Sequence, residues 1–183
     1  MKTLTLKEID ERINPILLII MGRSCTGKTT LVKSLKDDFH EALSFTTRAI
    51  RTGETNGADY NFISIERFNE MKNRGELFEY IEYNGNYYGL NADSFDFGRD
   101  NIVIVEPDGA KQLKQALSDR FNILTIQLEA PDHIILDRFK KRGDNPLIAE
   151  ERFIKDKEIF KNTGADVIFN FPYEKEDIKR LIR

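Results

Sequence analysis

A chain of 183 residues, 40% hydrophobic and 32% charged, has the balance of one soluble globular domain with a sizeable core. A net charge of −3 argues against non-specific nucleic-acid binding, and no apolar run approaches the roughly 20 residues that cross a bilayer. Met1–Lys7 lacks the apolar core of a signal peptide and the single Cys25 cannot close an internal disulfide, so a reducing, cytoplasmic setting is expected, with neither nucleic acid nor membrane as partner.

In chain order, Leu6, Ile9 and Ile13 at helical spacing predict a short amphipathic helix over 3–13. The apolar run Pro15–Met21 then reads as a buried strand, and Leu31, Val32, Leu35 and Phe39 give the next segment one apolar helical face. Between them stands Gly22-Arg23-Ser24-Cys25-Thr26-Gly27-Lys28-Thr29, which fits the spacing G-x-x-x-x-G-K-[ST] of a phosphate-binding loop. Each part has a physical task. The glycines let successive backbone N–H groups turn inward onto phosphate oxygens, and the following helix offers its positive end to a polyanion. Lys28 places a point charge at the β- and γ-phosphates, while the Thr29 hydroxyl can ligate Mg²⁺. Ser24, Cys25, Thr26, Gly27 and Thr30 complete the loop, so the chain is expected to bind a nucleoside triphosphate, ATP, together with Mg²⁺.

Ala42–Phe45 predicts a second strand, after which the chain changes character. Thr46-Thr47-Arg48, Arg51, Gly53-Glu54, Asn56-Gly57 and Asp59-Tyr60 are polar and turn-prone. Phe68, Met71 and Leu77 suggest a small helix, and Leu77–Tyr83 and Asn86–Tyr88 read as strands about an Asn84-Gly85 turn. This is a small mixed subdomain within the larger fold. Arg48, Arg51, Tyr60 and Tyr88 are the donors a second phosphate site would use; beside a triphosphate loop that reading is preferred to a solvated pair of charges.

Ile102–Val105 predicts a buried strand ending at Glu106, placed to hold Mg²⁺ or its waters. Asp108 is a second candidate, although a helix N-cap before Gly109–Leu117 suits it better. Phe121–Leu128 is a further strand, and a helix from Asp132 with Ile134, Ile135 and Phe139 ends in Arg138-Phe139-Lys140-Lys141-Arg142-Gly143. After Asp144-Asn145-Pro146 a new helix carries Arg152, and three arginines flanking a turn suggest a lid over the transferring phosphate. Asp166–Asn170 and Glu174–Arg183 close the chain as strand and helix; His40 and His133 read as surface residues.

These residues together resemble the guanylate kinase family, from Pro15 to about Asn170. The resemblance rests on the loop, on Thr46-Thr47-Arg48-x-x-Arg51-x-Gly53-Glu54-x-Asn56-Gly57-x-Asp59-Tyr60-x-Phe62, on Gly85-Asn86-Tyr87-Tyr88-Gly89 and on Arg138-x-x-x-Arg142-Gly143. It implies an α/β three-layer fold with a five-stranded parallel core sheet, a nucleoside-monophosphate-binding subregion over about 46–91 and a lid over about 138–152. The core would comprise about 14–45, 92–137 and 153–183. It also implies Mg²⁺-assisted transfer of the γ-phosphoryl of ATP to GMP or dGMP, by a monomer or homodimer. Carried over by position, Arg48, Arg51, Tyr60 and Tyr88, with Glu54 beside them, would grip the GMP phosphate, and Ser44 and Glu79 would reach the guanine edge. Lys28, Arg48, Arg138 and Arg152 would act in catalysis, Arg142 would stack on adenine, and Thr29 and Glu106 would hold the metal.

The chain departs from the family's usual pattern at Leu90 and Ile104, where the family has a serine and an aspartate near guanine, and at Arg23 and Cys25, where proline and glycine are common. The phosphate machinery is kept while base recognition is thinned. A same-fold kinase with another acceptor is therefore the alternative, such as another nucleoside monophosphate or a ribose phosphate. A non-catalytic guanylate-kinase-like binding module is disfavoured by the intact Gly27-Lys28-Thr29.

Overall fold

The computed structural model describes residues 14–143 and 145–182; the helix expected over 3–13 lies outside them. Strand β1 (Ile16–Gly22) is buried at every residue, as an apolar run covered on both faces must be. Hydrogen bonds join it in parallel to β7 (Asn101–Ile104) on one side and β8 (Asn122–Glu129) on the other, and β2 (His40–Glu41) and β9 (Val167–Asn170) form the edges. The core sheet thus has five parallel strands in the order β2-β7-β1-β8-β9, the architecture expected.

Alternation along β1 divides the core into two layers. Leu17, Ile19 and Met21 pack toward α3 (Pro107–Leu117) with Val103, Leu113, Leu117 and Phe121. Leu18 and Ile20 face α1 (Lys28–Ser34) and α6 (Lys175–Leu181) with Val32, Leu35, Ile102, Ile126, Leu128 and Ile178. Fully burying each of these side chains contributes about 1.5–3 kcal/mol before chain entropy is counted. The chain runs first to one side of β1 and then to the other. Loops at its carboxyl end therefore diverge and leave a crevice there.

A second sheet, in the order β4-β3-β6-β5, is built from β3 (Phe45–Thr46), β4 (Asn61–Phe62), β5 (Leu77–Tyr83) and β6 (Asn86–Asn91). Asn84 and Gly85, both at positive φ, make the β5–β6 turn as the Asn-Gly pair predicts. Helix α2 (Ile65–Asn73) covers this sheet with buried Phe68 and Met71, Phe68 stacking on Tyr87 at 5.4 Å between centroids. Gln112 of α3 joins the two halves: its amide donates to the Tyr80 carbonyl and accepts from the Tyr80 N–H, both at 3.1 Å.

Four local expectations are corrected. The strand expected at Ala42–Phe45 is divided, because β2 pairs with β7 only through Glu41 while Phe45–Thr46 pairs with β4 and β6 in the other sheet. Leu77 belongs to β5 and not to the small helix, since Gly75 at φ 66 ends that helix in the left-handed conformation. Asp108 is not the N-cap of α3. Glu106 holds that position, Pro107 supplies the first helical residue, and Asp108 pairs with Lys111 at 2.9 Å on the surface. His40 is half-buried, its Nε2 3.0 Å from the Ser94 carbonyl, whereas His133 is exposed as expected.

The passage from β1 into the following loop tolerates little. A Cβ on Gly22, at φ 151, would lie 2.6 Å from the backbone carbonyl of Leu128. Gly22→Ala is expected to lower the urea midpoint by the equivalent of about 2 kcal/mol or more, since both the strained φ and the carbonyl resist relaxation. An unchanged midpoint would show that the loop does not depend on this close approach.

Candidate active site

The phosphate loop spans the gap between β1 and α1, and its shape is held from several directions. Gly27 caps α1 in the left-handed conformation, φ 109, where a Cβ would press on the Arg138 guanidinium at 3.3 Å. Thr26 Oγ1 donates to the Arg23 carbonyl at 2.9 Å. Arg23, at the position where the family often has proline, anchors the loop by donating to Asp132 and to the Ala130 carbonyl, each at 2.7 Å. Lys28 Nζ donates to the Gly22 and Arg23 carbonyls. Burial lowers the Lys28 pKa, while Glu106 and Asp156 pull it the other way. Cys25 adopts φ 62, one of two non-glycine residues at positive φ among the described ones.

Opposite the loop, residues of the second sheet and its connections line the other wall of the cleft. Arg48 forms a two-pronged pair with Glu54, at 3.0 and 2.9 Å, and lies over the rings of Tyr60 and Phe62 at 5.2 and 5.5 Å. Glu54 also accepts the Arg51 N–H at 2.8 Å. Partial burial raises the carboxylate's pKa, but these Arg48 and Arg51 hydrogen bonds outweigh it and hold Glu54 below the usual range. Glu54 thus lines the cleft while fixing the Arg48 guanidinium. The Tyr60 and Tyr88 rings meet edge to face at 6.0 Å, and burial raises the Tyr60 pKa. Arg51 has its pKa lowered by burial, then by Arg48, Arg142 and Arg152, with Glu54 pulling the other way, which marks four cations gathered near one another. Arg48, Arg51, Arg142 and Arg152 all line the cleft shared with Lys28 and Thr29.

Two carboxylates stand apart. Glu79 Oε2 and Glu106 Oε2 are the buried side-chain oxygens without a hydrogen-bond partner among the described residues. Glu79 is on β5, pressed against α3 so closely that a Cβ on Gly109 would be 2.9 Å from Oε2. Burial pushes its pKa to about 8. Glu106 follows β7, and burial lifts its pKa to about 7 against the pull of Lys28. An unpaired buried acceptor costs about 1–3 kcal/mol, so two lining one cleft are a reservoir for donors brought by ligands. Ser44, 8% exposed, borders the same cleft, as does Ile104, whereas Leu90 is fully buried in the core and away from it.

The three arginines around the α4–α5 turn separate. Helix α4 (Asp132–Arg142) points Arg138 at the outer side of the loop, donating to the Cys25 and Thr26 carbonyls at 3.0 and 2.6 Å, with its guanidinium 5.3 Å from the Phe171 ring. It borders a second pocket with Thr30, Phe171 and Tyr173 instead of the cleft between the sheets, so its expected place at the transferring phosphate is not the one observed. Arg142 borders both pockets, and Arg152, on α5 (Pro146–Ile159), enters the cleft over Tyr83.

Sequence reasoning missed Glu41, Tyr83 and Asp156. Glu41 is half-buried on the edge strand and lines the cleft, with its pKa raised by burial. Tyr83 donates to Asp156, which also accepts the Ser24 N–H. No short-range pattern marks these residues, since each acquires its meaning from an element distant in sequence.

Comparison with known proteins agrees with this geometry. The family model described as Guanylate kinase matches residues 14–170. Guanylate kinase of Enterococcus faecalis is 40% identical over 147 residues, which cover 75% of this chain and 71% of that protein. Guanylate kinase of Streptococcus pneumoniae is 36% identical over 153 residues, covering 78% and 72%. The crystal structure of guanylate kinase from Anaplasma phagocytophilum shares the fold with a TM-score of 0.70 at 21% identity, over 93% of this chain and 84% of that one. With its loop, its paired anion-binding faces and these relatives in agreement, the chain belongs to the guanylate kinase family.

Proposed function

We propose that the chain is an enzyme that phosphorylates GMP, or dGMP, at the expense of ATP. The observation that carries this is Glu79: a buried, unpaired carboxylate oxygen in a cleft whose other wall is the phosphate loop. Guanine presents N1–H and N2–H donors side by side, and a carboxylate accepts both. Adenine offers no such pair and would leave the acceptor unsatisfied, a strong basis for rejection. Ser44 supports the same base edge. Arg51, Tyr60 and Tyr88, with Arg48 oriented by Glu54, form the acceptor-phosphate grip.

Phosphoryl transfer needs positioning and charge neutralisation more than covalent chemistry. The two anion-binding faces hold donor and acceptor on opposite walls of one cleft, which favours an in-line approach. Lys28 neutralises the donor's terminal phosphates, and Arg142 and Arg152 add charge where it develops on the transferring group. Arg138 acts on the loop itself, holding the Cys25 and Thr26 carbonyls by donating to both. Among the described residues no three His, Cys, Asp or Glu side chains form a metal cluster. The Thr29 hydroxyl and the unpaired Glu106 oxygen fit Mg²⁺, which takes one or two protein ligands and fills its shell with phosphate and water. When bound, the ion would supply further neutralisation of phosphate charge.

A second reading keeps the chemistry and changes the acceptor; it is motivated by Ile104 in the cleft wall and Leu90 buried in the core. An ATP-coupled screen of GMP, dGMP, AMP, IMP, UMP and ribose 5-phosphate separates them. Turnover of GMP or dGMP well above the rest is expected, and equal or better use of another acceptor would replace the first reading.

Lys28→Met should reduce ADP formation by about a hundredfold or more while leaving the urea midpoint near that of the parent chain. Retained turnover would remove Lys28 from its central place. The acceptor carboxylate adds a pH signature. With its pKa raised to about 8 by burial, the ligand-free Glu79 carboxyl is protonated at neutral pH. Guanine requires the ionised form, so binding expels the proton and KM for GMP should fall with rising pH, by at most about tenfold per unit, levelling near pH 8. The ligand-free chain should lose stability over the same climb, from the ordinary 4.5 to about 8. Across that window the folded form retains a proton that the unfolded form has released. Glu79→Gln flattens the KM profile and removes only the Glu79 share of the stability slope, leaving that of Glu106, whose pKa is raised to about 7; a pH-independent KM in the parent chain would refute the assignment.

A further inference from the structure

Cys25 is strained where it stands. A side chain at φ 62 has a backbone cost of order 1–3 kcal/mol, and such a conformation persists only when its surroundings over-determine it. The Arg23–Ser24 peptide, one unit before it, is held by one carboxylate. Asp156, 2% exposed on α5, accepts the Ser24 N–H at 2.6 Å through Oδ2 and the Tyr83 hydroxyl at 2.8 Å through Oδ1. The peptides on the C-terminal side are held by Arg138. Every group facing Asp156 has a part in this. Lys28 offers positive charge, Glu106 opposes with negative charge, and Lys155 and Arg152 lie over the Tyr83 ring at 5.2 and 5.8 Å. Asp156 thus accepts one hydrogen bond at each oxygen, one of them from the phosphate loop 132 residues away in sequence.

We infer that Asp156 is a positioning residue for the donor site: by fixing the Arg23–Ser24 peptide, one unit before Cys25, it keeps the phosphate loop in its anion-binding shape despite a non-glycine residue at position 25. The carboxylate does not touch nucleotide. It acts through the loop backbone, and Tyr83 steers its second oxygen so that the first stays on Ser24. The inference rests on the proposed function only in taking ATP as the donor.

A cycle of variants tests it, read as calorimetric Kd for Mg·ATP and, separately, for GMP. Asp156→Ala should weaken ATP binding about tenfold, the worth of one charge-assisted hydrogen bond, while GMP affinity moves less than about threefold. Asp156→Asn keeps an oxygen for the Ser24 N–H and should stay within about threefold of the parent for ATP. Cys25→Gly adopts positive φ without strain, so adding Asp156→Ala to it should cost less than about threefold in ATP affinity. Equal weakening of both nucleotides, an Asp156→Asn variant as poor as Asp156→Ala, or an undiminished loss in the Cys25→Gly background would each overturn the inference. Should Asp156→Ala fail to fold alone, folding of the double variant would support it, and failure of both would overturn it. Absence of GMP turnover in the parent chain would defeat the proposed function and leave this cycle readable, because ATP binding is measured without an acceptor.

Discussion

The structure is organised around charge that has been taken out of water and left partly unmatched. Lys28, Glu79 and Glu106 line one cleft, Glu79 buried and the other two half-buried, and the described residues give neither Glu79 Oε2 nor Glu106 Oε2 a hydrogen bond. Four arginines gather on the same cleft closely enough for three of them to lower the pKa of the fourth. Each feature disfavours the ligand-free fold. Together they define a cleft whose lining favours anions and N–H donors, in keeping with the family to which the chain belongs.

Two apolar layers make this imbalance tolerable. Strand β1 gives alternate residues to each layer, and every one of its residues is buried. The functional groups are mounted on its carboxyl end and on the facing sheet, so the energy of the core is not drawn from residues that must stay unpaired. The join between the halves is polar and specific. Gln112 closes both hydrogen bonds of Tyr80, and Gly109 leaves room for Glu79, so the carboxylate that would read the base is buried by α3 and not by its own sheet.

Where this chain differs from its family's common pattern, the differences carry structural meaning. Arg23 ties the loop to Asp132 and the Ala130 carbonyl, a task unlike that of the usual proline. Cys25 brings a left-handed residue that Asp156 and Arg138 bracket. Leu90 has moved into the core, while Ile104 remains in the cleft wall beside Ser44, with Glu41 on the neighbouring strand lining the same cleft. The cleft wall at position 104 is therefore apolar where the family's common pattern has a carboxylate, whereas Gly27, Lys28 and Thr29 of the loop follow the pattern.

The amino-acid sequence alone determined the elements whose signals are local. Fully apolar strands, the Gly-rich loop, the Asn-Gly turn and the Arg48–Tyr60 segment were legible because periodicity and turn chemistry act over a few residues. Tertiary structure decided what depends on partners far along the chain. It split the strand expected at Ala42–Phe45, because pairing with β7 ends at Glu41 and pairing in the second sheet begins at Phe45. It turned Arg138 onto loop carbonyls and away from the cleft, paired Glu54 with Arg48, and brought Asp156 to Ser24. A side chain's type and neighbours announce its chemistry; only the packing of distant elements determines which backbone group it meets and how much water it loses.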